Sequence, residues 1–65
     1  MRIEVNGDPR DIAATTVAGA LSELGWAEAR VATALNGDFL PSSARADQTL
    51  REGDRLEVLA PMQGG

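Results

Sequence analysis

Sixty-five residues that include six Arg and ten Asp plus Glu, for a formal charge of -4, and that contain no Cys, His, Lys or Tyr, limit the chemistry before any motif is read. One small domain with a thin core leaves no room for an enclosed catalytic cleft, and no thiolate, imidazole or Lys amine is present to serve as nucleophile or base. The same absences remove disulfide scaffolds and soft-metal sites. The singly scattered Arg2, Arg10, Arg30, Arg45, Arg51 and Arg55 form no phosphate-tracking stripe, and the short apolar stretches give neither a membrane span nor a leader. A cytoplasmic protein without nucleic-acid or membrane partners is expected.

Met1, Ile3 and Val5 alternate with Arg2, Glu4 and Asn6, the period-two pattern of a strand with one buried face. Asn6-Gly7 tolerates the positive φ values of a tight hairpin, so Pro9 to Ala13 should return antiparallel; Pro9, lacking a backbone donor, marks that strand as an edge. Thr16 then caps a helix on which Val17, Ala20, Leu21 and Leu24 share a face. Gly25 stands where a left-handed C-terminal residue belongs, and Trp26 is placed to pack back on Leu21. Gly19 costs about 1 kcal/mol against Ala inside this helix, which suggests close approach to the sheet.

Arg30 to Asn36 reads as a third strand, with Val31, Thr33 and Leu35 on one face and Ala32 and Ala34 on the other. Asn36-Gly37 repeats the hairpin signal, and Asp38 to Leu40 is a short return ended by Pro41. Ser42 to Thr49 has no usable period and reads as a loop with one helical turn. The Glu52-Gly53-Asp54 turn launches a last strand over Arg55 to Met62, with Leu56, Val58, Ala60 and Met62 on one face. The resulting α+β domain is a mixed sheet of four to five strands with one helix packed on one face.

Asp8 with Asp11, and Glu52 with Asp54, could be drawn as carboxylate pairs, but Asp beside Gly or Pro serves local backbone hydrogen bonding equally well. Ser42 and Ser43 have no His to activate them. What remains is the end of the chain, Ala60-Pro61-Met62-Gln63-Gly64-Gly65. The last strand feeds it without a linker, and five residues beyond Ala60 reach about 17 Å when extended at roughly 3.3 Å each. Residues 61–65 are expected to project as a flexible tail. Two glycines without Cβ atoms suit a narrow tunnel in a partner. Beside the tail, the sheet face opposite the helix should carry Ala32, Ala34, Leu59 and one of Phe39 or Leu40, bordered by Arg55, Glu57, Arg2 and Glu4. Such an apolar cluster suits protein docking.

The segments Val5-Asn6-Gly7, Thr16-Val17, Leu35-Asn36-Gly37-Asp38 with Pro41, Glu52-Gly53-Asp54-Arg55 and Pro61-Met62-Gln63-Gly64-Gly65 together resemble the bacterial sulfur carrier proteins of thiamine biosynthesis. The resemblance runs over essentially all of residues 1–65 and implies a single domain of the ubiquitin-like β-grasp fold. It further implies a protein cosubstrate that is not itself an enzyme and that binds no cofactor or metal. Its Gly65 carboxylate would be adenylated by a ubiquitin-activating-type adenylyltransferase using ATP and Mg. Sulfur from a cysteine desulfurase or another donor would convert the adenylate to a thiocarboxylate, and thiazole synthase would take that sulfur into the thiazole ring. Gly64, Gln63 and Met62 would enter the partner's channel, and Leu59, Ala32, Ala34, Phe39 and Arg55 would meet its surface. Thr33 departs from the pattern by occupying an inward position where an aliphatic residue is expected. Two rival readings stand beside this one: a molybdopterin synthase small subunit or another Gly-Gly sulfur carrier, and a non-catalytic ubiquitin-like interaction module whose tail is never activated.

Overall fold

Two Asn-Gly pairs organise the sheet of this computed structural model, which describes residues 1–27 and 30–60. Asn6 and Gly7 have φ of 52° and 87°, Asn36 and Gly37 have 51° and 89°, and positive φ at both central residues gives the turn whose twist matches that of the flanking strands. The first pair joins β1 (Arg2–Val5) to β2 (Asp8–Asp11), antiparallel with Val5 opposite Asp8 and Arg2 opposite Asp11. The second joins β3 (Ala32–Leu35) to β4 (Asp38–Leu40), with Leu35 opposite Asp38 and Thr33 opposite Leu40. The last strand, β5 (Arg55–Leu59), runs parallel to β1 and antiparallel to β3, so the order across the sheet is β2-β1-β5-β3-β4. The strand carrying Pro9 is therefore an edge, as its missing donor requires.

Between the hairpins lies α1 (Val17–Glu23). The Thr16 side chain accepts from the Gly19 N–H at 3.1 Å, while the N–H groups of Val17 and Ala18 donate to the carbonyls of Gln48 and Arg45. A seven-residue helix is too short to stand alone, and these partners satisfy donors its first turn leaves open. Its end is a Schellman motif: Trp26 N–H reaches Leu21 C=O at 2.7 Å, Gly25 N–H reaches Ser22 C=O at 3.2 Å, and Gly25 has φ of 98°. Trp26 is half-buried and packs against the core. Gly19 has a different reason from the one expected. A Cβ there would lie 3.1 Å from the Ala14 Cβ and 3.2 Å from the Thr16 Oγ1, so the tight neighbours are the segment entering the helix and its own cap, not the sheet.

The core lies between α1 and one sheet face. Ile3, Val5, Leu56 and Val58 from the two central parallel strands meet Val17, Ala20 and Leu21 of the helix, with Ile12, Leu40 and Leu50 closing the sides. Two expectations of facing need correction. Met1 is 37% exposed, because it lies outside the strand and its amine and carbonyl instead bond the backbone of Ile12. Ala60, placed inward by period-two counting, is exposed because strand pairing stops at Leu59. The irregular segment carries one helical turn, as expected, a 3-10 turn over Ser42–Ala44.

Candidate functional site

The last strand of the chain is the middle strand of the sheet. β1 pairs with its first residues, Arg55 and Leu56, and β3 pairs with Leu56 to Leu59, so where the chain leaves the sheet the strand pairing comes from β3. Pro61, Met62, Gln63, Gly64 and Gly65 lie outside the described residues; the root that carries them is what the structure places.

At that root, alternation in β5 turns Leu56 and Val58 to the core and Arg55, Glu57 and Leu59 to the opposite face. Register then assembles the neighbours. Leu59 lies opposite Ala32, and Ala34 lies between Glu57 on β5 and Phe39 on β4. Leu59 is 69% exposed and Phe39 73% exposed, whereas Leu40 is buried; the open choice between Phe39 and Leu40 is resolved in favour of Phe39. Ala32, Ala34, Phe39 and Leu59 thus share one face across three adjacent strands. Arg55, opposite Glu4, and Glu57 border them. The surface residues singled out in the sequence share this face, with Arg55 at the end of β5 away from Leu59.

The rest of this face is charged. The Arg2 guanidinium forks onto the Asp11 carboxylate at 3.1 and 3.2 Å. That hydrogen bond and the charge behind it hold the Asp11 carboxyl below the usual carboxylate range and raise Arg2. Of the carboxylates in the last turn, Asp54 accepts locally from the Arg51 N–H at 2.8 Å, as expected, whereas a Glu52 oxygen accepts from the distant Arg2 N–H at 3.0 Å. Among the described residues no three carboxylates converge as metal ligands would. The face therefore offers shape, apolar area and a charged margin.

Sequence reasoning missed three side chains that shape this region. Asn6, read only as a turn residue, also bonds the backbone of Val58 through both ends of its carboxamide. Glu23 accepts from the N–H groups of Ala13 and Ala14, tying the segment entering the helix to its last turn. Arg45 donates from Nε to the Thr33 hydroxyl at 2.9 Å and also to the Val31 carbonyl, and Thr33 in turn donates to the Leu40 carbonyl at 2.8 Å. That network explains the polar residue at an inward position: Thr33 is 1% exposed and fully partnered. The available signal for Arg45 was its position, the one cation between Arg30 and Arg51 in a stretch of small residues.

A five-stranded mixed sheet with one helix across one face, its C-terminal strand in the centre, defines a ubiquitin-like β-grasp domain. The ThiS family profile matches residues 3–65. The chain is 39% identical over 61 residues to the sulfur carrier protein ThiS of Thermus thermophilus, covering 94% of this chain and 95% of that one. It is 36% identical over 66 residues to a thiazole synthase of Paramagnetospirillum magneticum, spanning all of this chain but only 20% of that protein. The crystal structure of the thiamine biosynthesis protein ThiS from Geobacter metallireducens superposes with a TM-score of 0.84 at 36% identity, each chain covered completely. This chain belongs to the ThiS family.

Proposed function

We propose that residues 1–65 act as one cytoplasmic sulfur carrier domain of thiamine biosynthesis, a cosubstrate that other proteins load and unload. The Gly65 carboxylate attacks the α-phosphorus of ATP on a ubiquitin-activating-type adenylyltransferase, pyrophosphate leaves, and the acyl adenylate forms with Mg supplied at the partner's site. Sulfide-level sulfur displaces AMP and leaves a thiocarboxylate directly; a persulfide derived from a cysteine desulfurase displaces AMP to give an acyl disulfide, which a partner thiol then cleaves, releasing the thiocarboxylate and forming a disulfide. Adenylation is needed because a free carboxylate has no adequate leaving group. The carrier itself contains neither Cys nor Lys that would capture its own activated end. Thiazole synthase is the acceptor, a pairing supported by the stretch similar to this whole chain within a protein of that name.

One observation carries this reading: the strand that leads to Gly65 is the centre of the sheet, and the exposed Leu59, Ala32 and Phe39, with the half-buried Ala34, lie beside its exit. A partner docked there lies next to the root of the tail. Gly64, Gln63 and Met62 would thread the channel, Arg55 and the apolar cluster would hold the body, and the active groups would belong to the partner. Incubating the chain with ATP, Mg and the adenylyltransferase, followed by intact-mass measurement, tests this. The full chain should gain an adenylyl group, and a chain lacking Gly65 should gain none while keeping its fold. A full chain that binds the enzyme without being adenylated would be an interaction module, and a truncated chain that still supports thiazole formation would overturn the carrier assignment.

A further inference from the structure

We propose that Asn6 is a positioning residue for loading of the carrier: its carboxamide holds Val58 and thereby sets the line along which the chain leaves the sheet. This role rests on the carrier reading above.

Where β1 and β5 run parallel, backbone bonds join them: Glu4 N–H donates to Asp54 C=O at 2.9 Å and Asn6 N–H to Leu56 C=O at 3.0 Å. The ladder would next need β1 to meet Val58, but the chain turns away at Asn6, with φ of 52°, to make the hairpin. The Asn6 side chain fills the place of the missing strand. Its Oδ1 accepts from the Val58 N–H at 2.8 Å, and its Nδ2 donates to the Val58 C=O at 3.1 Å, across 52 residues of sequence and in a partly buried setting. Both a donor and an acceptor are required, which a carboxamide has and a carboxylate lacks. Val58 is the last inward residue of β5, and only Leu59 remains before pairing ends.

The second hairpin supplies an internal comparison. Asn36 has nearly the same backbone conformation, but its Oδ1 accepts from the Arg55 N–H at 2.9 Å and its Nδ2 donates to Asp54. It therefore holds the start of β5, whereas Asn6 holds the end nearest the tail. A swing of about 10° at Ala60 moves the tip of an extended tail of about 17 Å by about 3 Å, and misplacement of a reacting group by about 1 Å can cost on the order of a hundredfold in rate.

Asn6→Gly and Asn36→Gly both keep a residue at ease with positive φ and each delete one carboxamide, so they separate the two roles. With the full chain, ATP and the adenylyltransferase, Asn6→Gly should lower kcat by about fivefold to tenfold with KM within about twofold, because the docking face is intact while the tail is misdirected. Asn36→Gly should leave both constants within about twofold. In the free chain, amide exchange at Val58 should accelerate only in Asn6→Gly. Equal kinetics for both variants, or losses that simply follow their stabilities, would overturn the positioning role. A parent chain that accepts no adenylate would overturn the carrier reading and this role with it, whereas normal loading of both parent and Asn6→Gly would overturn this role alone. If Asn6→Gly does not fold, Asn6→Asp replaces it. That variant keeps the acceptor for the Val58 N–H and loses the donor to the Val58 C=O while its carboxylate is ionised, so at neutral pH kcat should fall by about twofold to fivefold with KM within about twofold. A kcat for Asn6→Asp equal to the parent's would overturn the role.

Discussion

On the helix side of β5, Leu56 is 0% exposed and Val58 4%; on the other side Leu59, chemically identical to Leu56, is 69% exposed. One strand of five residues thus carries two leucines under opposite conditions, separated by an odd number of positions. The inner residues are specified by volume, since they fill space between β1, β3 and α1. The outer leucine gains nothing for the fold by being apolar. Single exposed apolar residues are ordinary, but Leu59 has Ala32 opposite it and Ala34 and Phe39 beyond, and this cluster is the one the carrier reading gives to a docked partner. What separates the core from the outer cluster here is register alone.

The largest test of that contrast is Leu56→Ala. It should destabilise the chain by about 2 to 5 kcal/mol in denaturant titration, since a fully buried leucine in a small core leaves a cavity that α1 cannot close. The folded fraction should still bind the adenylyltransferase with parental affinity. Leu59→Asp should reverse the pattern, changing stability little while weakening that binding by about 2 kcal/mol in calorimetry. Severe unfolding with normal affinity would mean that the two faces are assigned the wrong way round. Thr33→Val sharpens the inner side, because it removes the hydroxyl that serves both Arg45 and the Leu40 carbonyl. A loss of about 1 to 2 kcal/mol is expected despite the more apolar side chain.

The smallest effect belongs to the charged part of the outer face. The folded state holds Asp11 below its ordinary range through the Arg2 hydrogen bond and charge, so the pair stabilises above the unfolded carboxylate pKa and loses that contribution as the pH falls through the lower folded value. Both side chains are well exposed, and solvent and salt screen the pair. An Asp11→Asn variant should follow the parent closely in acid titration at high salt and fall slightly below it only at neutral pH and low salt.

Much of this architecture is legible in the sequence because the deciding interactions are local. Asn-Gly turns, the Thr16 cap and the Gly25-Trp26 ending each depend on neighbours within a few residues, and alternation in 55–59 assigns Leu59 outward without knowledge of its partners. Three-dimensional placement decides the rest. Phe39 and Leu40 are adjacent in a three-residue strand too short to show its own period, and only the pairing of Thr33 with Leu40 fixes which is inside. Arg45 lies in a segment without periodicity, and its partners Thr33 and Val31 are twelve and fourteen residues away. Asn6 was visible as a turn residue, but its bond to Val58 spans 52 residues, a distance at which no local pattern speaks.

The central place of β5 also has a consequence for how the molecule comes into being. Without it the sheet is two separate hairpins, β2-β1 and β3-β4, because among the described residues no other strand pairs with both. The contacts that join them link the beginning of the chain to residues about fifty positions later, such as Glu4 with Asp54 and Asn6 with Val58, and closing loops of that length slows folding relative to local structure. During synthesis the sheet can close only after residues 55–59 have emerged. A nascent or prematurely ended chain lacks the sheet and the exit strand together, so under the carrier reading an incomplete carrier presents nothing to be loaded.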